Sequence, residues 1–273
     1  MPPIKYRFMS LQDFLISTQL TVDGQLDDGW GALFPAKGRE VEATILFSDI
    51  SRFSARSLGL SPTETLIFVN NFFAWITAEA VRGGNGIVDK YIGDEMMVVF
   101  SKEFGSDDPF VEALQTARRM SEHDALDFNP HVGIASGPVT VGYVGTPAKY
   151  DCSVFGAPVA LAARCSGVRP SIRDGLSFST SIVFPAKEWR GRNFETVFPA
   201  TKYRLPDGTT AEQPHCWEMF PPRSVDMKNI GPVEVQEIVN RAMHFPSQSA
   251  EDRAKEALQV LRRAGRYWPE ANP

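Results

Sequence analysis

Two short apolar runs flank a tight turn, and this pattern predicts a β-hairpin. The runs are IVDKY at 87–91 and MMVVF at 96–100, and the residues between them are IGDE. Glycine tolerates the positive φ that tight hairpin turns need, so the segment predicts two antiparallel strands joined at Gly93-Asp94. The turn places Asp94 at the tip of this hairpin.

A second strand and a long helix are predicted upstream of the hairpin. Residues 41–50, VEATILFSDI, are rich in β-branched and apolar residues and predict a buried strand that ends near Asp49. Ser61 followed by Pro62 and Glu64 is a helix-start signature. The apolar stripe expected on that helix comprises Leu66, Phe68, Val69, Phe72, Phe73 and Ile76.

Further elements complete a mixture of strands and helices around one sheet, which is an α+β or α/β arrangement. The pattern predicts a short helix at about 10–19, a helix at 108–122, two strands broken at Gly137-Pro138, and a helix after Gly156. Residues 166–225 are the least regular part, and 225–239 predict a closing hairpin. A last helix is expected after a Ser249 cap, with Ala254, Leu258 and Leu261 on its apolar side.

Composition excludes several classes of protein. The 273 residues are 43% hydrophobic and 22% charged, which is typical of a globular chain. A net charge of −5 argues against a protein that coats nucleic acid or an anionic membrane. No segment resembles a signal peptide or reaches the ~20 apolar residues of a spanning helix, so we expect a cytoplasmic protein. The three cysteines lack zinc-site spacing and indicate a reducing compartment.

Asp49 and Asp94 are the candidate metal ligands. Each stands where a strand ends or turns, so each carboxylate can face a ligand at the edge of the sheet from a rigid position. Two carboxylates with a backbone carbonyl form an oxygen-rich site that suits Mg²⁺ or Mn²⁺. A lone aspartate in such a place more often only caps its turn.

Four segments in order carry a resemblance to a known family. They are LFSDISRFS, VDKYIGDEMMVVF, VGIASGPVTVGYVG and FGAPVALAAR. In order and spacing they resemble the class III adenylate and guanylate cyclases, over roughly 41–165 and again at 224–238. The resemblance implies an α+β fold with a ferredoxin-like βαββαβ core and extra strands. It also implies a head-to-tail homodimer in which both protomers build each active site.

The resemblance also implies a division of the chain. Residues 1–40 would be an N-terminal extension, and 41–240 the cyclase domain with an insertion at 166–225. Residues 241–273 would form a C-terminal helical tail.

The same resemblance assigns roles to individual residues. Asp49 and Asp94 match the aspartates that hold two Mn²⁺ or Mg²⁺ ions, and the main-chain carbonyl of Ile50 would bind one of them. Arg164 matches the arginine that stabilises the transition state. The alternative for Arg164 is an ordinary surface arginine.

Base and phosphate contacts are implied as well. Lys90, three residues before Gly93, matches the residue that contacts the base, and Ser153 matches its partner. Lys228 matches a triphosphate-binding lysine, although a solvated hairpin lysine is an equal alternative. Lys149 lies near another phosphate-contacting position.

One motif departs from the family pattern. Ala160 stands where the family has the asparagine that orients ribose, and Ala157-Pro158 also differs. Lys90 can only donate hydrogen bonds, so it suits adenine N1 or a uracil carbonyl. Ser153 can donate or accept, so it does not distinguish between the bases. The missing asparagine, the absence of attached signalling modules and the long 166–225 segment resemble the pyrimidine cyclases of bacterial Pycsar antiphage systems.

We therefore expect a uridylate cyclase that makes cyclic UMP for a separate effector protein. Phe53 or Phe155 would narrow the pocket for the smaller base, unless these aromatics are only core residues. The alternatives are an adenylate cyclase and a catalytically silent cyclase-like module for nucleotide sensing or dimerisation. A diguanylate cyclase would need a GGDEF-type turn, and this turn is IGDE.

Overall fold

The computed structural model describes residues 7–24, 36–146, 149–171, 180–204, 209–213, 216–240 and 250–263. Its strands are β1 (Val22–Gly24), β2 (Ala36–Asp49), β3 (Ile87–Ile92), β4 (Glu95–Ser101), β5 (His131–Thr146), β6 (Lys149–Phe155), β7 (Thr180–Pro185), β8 (Thr201–Arg204), β9 (Thr210–Gln213), β10 (Trp217–Met227) and β11 (Gly231–Asn240). Its α-helices are α1 (Leu11–Ile16), α2 (Phe53–Ser57), α3 (Pro62–Val81), α4 (Pro109–Glu122), α5 (Ala157–Ser166), α6 (Phe194–Val197) and α7 (Ala250–Arg263). Short 3₁₀ turns lie at Lys102–Phe104 and Ala186–Trp189.

One nine-stranded sheet organises the described residues. Its order is β10-β11-β7-β5-β2-β4-β3, with β1 added beside β2 and β6 beside β5. Strands β5 and β7 are parallel and the other pairs are antiparallel. Strands β8 and β9 form a separate two-stranded sheet. The predicted α+β fold is confirmed.

Strand β2 is the centre of the sheet and separates two hydrophobic clusters. Val41, Ala43, Ile45 and Phe47 contribute to one cluster, whereas Leu46 contributes to the cluster on the opposite face. This is the alternation expected of a strand covered on both sides. The strand begins at Ala36, five residues before the predicted start, and ends at Asp49 as predicted.

The predicted β3–β4 hairpin is confirmed. Ile92 pairs with Glu95, so only Gly93 and Asp94 form the turn. Gly93 has a φ of +63°, the left-handed region that its lack of a side chain makes accessible. The turn therefore fixes Asp94 at the tip of a rigid element.

The predicted break at Gly137-Pro138 is wrong, because β5 continues through it. All of β5 pairs with β2 up to Tyr143, whereas its other edge pairs first with β7 and later with β6. On the edge away from β2, Gly137-Pro138 lies between the part of β5 that pairs with β7 and the part that pairs with β6. A proline can occupy a strand where no neighbouring strand needs its N–H.

The direction of the nearby N–H groups supports this account. The N–H of Ser136 points away from β2 and is donated to Glu188 Oε1 at 2.9 Å. Pro138, two residues later, faces the same side, so its missing donor leaves the β2 ladder intact.

The helices follow the predicted signals with one correction. Helix α3 starts in a complete capping box of Ser61 and Glu64. Leu66, predicted on the apolar stripe, is 69% exposed, and Ile67 takes the buried position. Ala254, Leu258 and Leu261 of α7 are buried as predicted. The predicted Ser249 cap lies outside the described residues.

The described part of the 166–225 segment is more regular than predicted. Within it, β7 is fully buried and is an interior strand of the sheet, between β5 and β11. The closing hairpin is confirmed and is longer than predicted, since β10 starts at Trp217. Among the described residues, no helix is long and apolar enough to cross a bilayer. All three cysteines are free.

We expect Gly133→Ala to destabilise the protein, because helix α5 packs directly on β5 at this position. A Cβ there would lie 2.1 Å from the Ala162 carbonyl oxygen and 2.2 Å from the Ser166 nitrogen, both backbone atoms. Overpacking of this kind costs about 2–3 kcal/mol, equivalent to a fall in Tm of about 5–10 °C. Gly59→Ala is the control, since its Cβ would meet only side-chain atoms at 3.5 Å or more. Equal melting temperatures for the two variants would contradict this packing.

Candidate active site

The Asp49 carboxylate lies at the end of β2, next to the start of β5. Asp49 pairs with His131 across the sheet, and the His131 backbone N–H donates to the carboxylate. The other carboxylate oxygen, Oδ1, is buried and meets no hydrogen-bond donor among the described residues. A buried oxygen without a donor is costly unless something else binds it.

Asp94 joins this position from the β3–β4 turn. Its carboxylate accepts a hydrogen bond from the backbone N–H of Ile50, the residue after Asp49. The Ile50 carbonyl accepts the N–H of Phe53 at 3.2 Å and retains a second lone pair. The structure thus brings the three sequence-predicted metal ligands together.

A third carboxylate, Glu95, crowds the same place and was missed in the sequence. Burial and then the charges of Asp94 and Glu95 raise the pKa of Asp49 to about 8. Burial also raises the pKa of Asp94. Burial and Asp94 raise the pKa of Glu95, and the nearby Arg164 lowers it. The cluster therefore holds more negative charge than its own surroundings neutralise.

This cluster fits a divalent cation. The orphaned Asp49 Oδ1, the Asp94 carboxylate and the Ile50 carbonyl are the oxygen donors that Mg²⁺ and Mn²⁺ prefer. Among the described residues, no group of three or more His, Cys, Asp or Glu side chains is arranged to hold a metal ion by itself. Magnesium commonly binds through one or two carboxylates and completes its shell with water and substrate phosphates.

A cationic cleft of about 390 Å³ forms the second part of the site. Arg164 of α5 and Lys228 of the β10–β11 turn both line it. Arg169 and Arg223 line it as well. Neither was identified in the sequence, because they come from an irregular segment and a strand edge that match no motif.

Arg223 is held in this cleft by a buried acid. Its Nη2 donates to the Arg169 carbonyl at 2.9 Å and to Glu237 Oε2 at 3.4 Å. Glu237 is 1% exposed and also accepts hydrogen bonds from Ser171 and Ser181. A guanidinium held this way is suited to phosphate, which it binds with a rigid fork.

The third part contains the predicted base contacts. Lys90 on β3 and Ser153 on β6 both contact Asp89, whose role was not identified in the sequence. Lys149 is exposed and pairs with Asp151 at 3.6 Å, so it has no connection to the cationic cleft among the contacts of the described residues.

The two aromatic candidates differ in their surroundings. Phe53 is partly buried and packs against the larger hydrophobic cluster. Phe155 is 42% exposed at the end of β6, two residues after Ser153. Ala160 is exposed on α5, so the amide missing there would have faced solvent or ligand. Phe155 therefore has the freer surface for a base contact.

A larger cavity of about 670 Å³ lies beside the middle of β2, at residues 40–44, and contains no predicted site residue. Two of its acids are already engaged. Asp108 pairs with Arg192 at 2.6 Å, and Glu188 accepts two hydrogen bonds from Ser136. Size alone therefore does not identify the active site.

Comparison with known proteins is consistent with this geometry. The model of the adenylate and guanylate cyclase catalytic domain matches residues 36–172. The crystal structure of the adenylyl cyclase CyaB from P. aeruginosa aligns with a TM-score of 0.54 at 20% identity, over 74% of this chain and 95% of that one. The guanylyl cyclase Cya2 aligns with a TM-score of 0.55 at 21% identity, over 78% and 98%.

Curated sequences give the same family. An adenylate cyclase of Anabaena cylindrica is 31% identical over 157 residues, covering 51% of this chain and 30% of the relative. The uncharacterized protein Rv1320c of Mycobacterium tuberculosis is 29% identical, covering 55% and 27%. The chain thus spans less than a third of the length of these relatives. The chain belongs to the family of adenylate and guanylate cyclase catalytic domains.

We expect Mn²⁺ to raise the melting temperature of the wild type and to do so much less in Asp49→Asn. Ligand binding to the folded state stabilises it, and the substitution removes one anionic ligand. Without metal, Asp49→Asn should melt at or above the wild-type temperature, because it removes a buried ionisable group and relieves repulsion from Asp94 and Glu95. Thermal denaturation with and without Mn²⁺ measures both effects. Asp107→Asn, an exposed control, should keep the wild-type response, and an equal shift in Asp49→Asn would exclude this metal site.

Proposed function

We propose that this chain is a metal-dependent nucleotidyl cyclase that converts a nucleoside triphosphate into a 3′,5′-cyclic monophosphate and pyrophosphate. The observation that carries the proposal is the crowding of Asp49 and Asp94 around Ile50, with a buried carboxylate oxygen that lacks a donor. The cationic cleft lined by Arg164 and Lys228 supports it, because a triphosphate brings the opposite charge.

The reaction sets out what the site must do. The ribose 3′-hydroxyl loses its proton to water, and its oxygen bonds to the α-phosphorus. The bond from that phosphorus to the bridging oxygen breaks, and pyrophosphate leaves. Asp49, Asp94 and the Ile50 carbonyl would hold two Mn²⁺ or Mg²⁺ ions. Such ions lower the pKa of the hydroxyl and neutralise the triphosphate.

Arg164 suits the charge that develops during this step. It is exposed at the last turn of α5, and among the described residues no carboxylate binds it in an ion pair. A guanidinium stays protonated at all relevant pH values and presents several donors in a fixed plane. It can therefore contact the phosphoryl oxygens as negative charge spreads over them. Lys228 would bind the terminal phosphates.

We further propose a head-to-tail homodimer with shared active sites. The family to which the chain belongs supports this proposal. Within one chain Arg164 already lies near enough to Glu95 to lower its pKa, so a site within one chain is the alternative. Two-fold pairing would place the carboxylates of one protomer opposite the cleft of its partner, as happens at isologous interfaces.

Mixing two inactive variants tests this arrangement. Asp49→Ala and Arg164→Ala should each lose about 100-fold or more in kcat. Their mixture should recover roughly a quarter of wild-type turnover, since half of the dimers are mixed and each has one intact site. The control mixture of Asp49→Ala with Asp94→Ala should stay inactive, because both changes affect the same half-site. Activity in either single variant would contradict the metal assignment. Failure of the first mixture despite subunit exchange would indicate a site within one chain.

For the base, we propose uracil, and hence cyclic UMP made for an antiphage effector. Lys90 is a donor that needs an acceptor, and uracil offers two carbonyls. The exposed Phe155 could fill the space that a smaller base leaves. ATP is the second candidate, favoured by the similarity to the Anabaena adenylate cyclase. A silent nucleotide-sensing module is the alternative of another class.

Turnover with each nucleotide separates these candidates. The enzyme is incubated with ATP, GTP, CTP or UTP and Mn²⁺, and the products are identified by mass spectrometry. We expect cyclic UMP as the main product. Phe155→Ala should admit ATP and reduce discrimination by about 1–3 kcal/mol, the contribution that pocket shape usually makes.

The control for the aromatic change is Phe155→Leu, which keeps an apolar side chain of intermediate size. Cyclic AMP as the only wild-type product would disprove the uracil proposal and leave the cyclase proposal intact. No product from any nucleotide would favour the silent module.

A further inference from the structure

A β-bulge on strand β3 places two consecutive side chains together. Val88 pairs with Val98, and Lys90 pairs with Met97, so β3 has one residue more than β4 over this step. That extra residue is Asp89. In a regular strand, Asp89 and Lys90 would point to opposite faces, but a bulge bends the strand and redirects side chains.

The redirected side chains meet Ser153 of β6. Asp89 Oδ2 accepts the Ser153 hydroxyl at 2.8 Å, and the same oxygen lies 3.5 Å from Lys90 Nζ. β3 and β6 are not neighbours in the sheet, so Asp89 links two separate strands. Asp89 Oδ2 therefore contacts both of the residues that are predicted to contact the base, Lys90 and Ser153.

Exposure distinguishes the roles of the three side chains. The Asp89 side chain is 2% exposed, Ser153 is buried, and the Lys90 side chain is 37% exposed. Only Lys90 presents a substantial polar surface. The Ser153 hydroxyl hydrogen is already donated to Asp89, so it is not available to a ligand.

The charge balance at Asp89 depends on both partners. Burial raises the pKa of this carboxyl, whereas the Ser153 hydrogen bond and the Lys90 charge lower it. Loss of either partner would make the charged form less favourable in its buried place. Ser153 thus helps to keep Asp89 ionised, and the ionised carboxylate holds Lys90 in place.

We infer that Asp89 is a positioning residue for base recognition, which fixes the Lys90 ammonium in one place with Ser153 as its support. The inference rests on the proposed function and changes the expected role of Ser153, which acts through Asp89. A donor held in one place favours the base whose acceptor lies at that place. A donor released from its anchor can follow the acceptor of any base, so discrimination falls.

Asp89→Asn tests the anchor with little change of shape. We expect the ratio of kcat/KM between the preferred and the second nucleotide to fall about tenfold. The loss should lie mainly in KM, with kcat at saturation within about threefold of wild type. The Mn²⁺-induced shift in Tm should remain, because the carboxylate cluster is untouched. The control is Asp107→Asn, which removes an exposed carboxylate just before α4.

Ser153 supplies a second, independent variant. Ser153→Ala should reduce discrimination in the same direction, and Asp89→Asn with Ser153→Ala should lose no more than Asp89→Asn alone. Additive losses would mean that Ser153 contacts the base directly and would overturn its supporting role. If Asp89→Asn does not fold, Ser153→Ala reports on the same anchor.

Equilibrium binding keeps this test separate from the proposed reaction. The Kd values of the four 3′-deoxynucleoside triphosphates are measured by calorimetry with Mn²⁺, since these analogues lack the attacking hydroxyl. A lower binding ratio in Asp89→Asn supports the inference even if the wild type has no turnover, which would disprove only the reaction. An unchanged ratio, or an equal loss for every nucleotide, overturns the inference.

Discussion

The negative charge at the end of β2 is the constraint on which the rest of the site depends. The strand is held on both edges by β4 and β5 and on both faces by hydrophobic clusters, so its last residue cannot move away. Asp49 consequently keeps a desolvated carboxyl group beside Asp94 and Glu95, and these surroundings raise its pKa to about 8. Folding alone would favour an apolar or neutral residue here, because a buried charge without a partner is costly. A bound cation would turn the same arrangement into a favourable one, and this conflict between stability and binding is typical of functional sites.

Local signals in the sequence predicted the elements that carry the site. The capping box at Ser61, the Gly93-Asp94 turn and the closing hairpin each depend on a few neighbouring residues, and all three are present. Gly137-Pro138 misled the prediction, because its meaning depends on which strands lie beside it. A proline ends a strand only where its missing N–H is needed by a neighbour, and the order of strands cannot be derived from that dipeptide.

The same dependence on neighbouring strands explains why Asp89 and Arg223 were not identified from the sequence. Asp89 could have been noticed next to Lys90, but strand alternation would have placed it on the opposite face, and only the bulge reverses this. Arg223 reaches the cleft through Glu237, which lies 14 residues further along the chain on a neighbouring strand. Contacts across strands depend on register, which short motifs do not encode. Asp49, Asp94, Arg164 and Lys228 could be proposed from the sequence because the family resemblance marks them one by one.

Strand β5 explains how three separate groups keep a fixed relation. Its first residue, His131, donates a backbone N–H to Asp49. Gly133 lets helix α5, and with it Arg164, approach the sheet as closely as backbone contact allows. Gly142 pairs with Ser153, which bonds to Asp89. A slip of one residue between β2 and β5 would turn every side chain to the wrong face and would displace all three groups together. The long pairing of these two strands therefore defines the geometry of the carboxylate cluster, the cationic cleft and the Asp89–Ser153 contact at once.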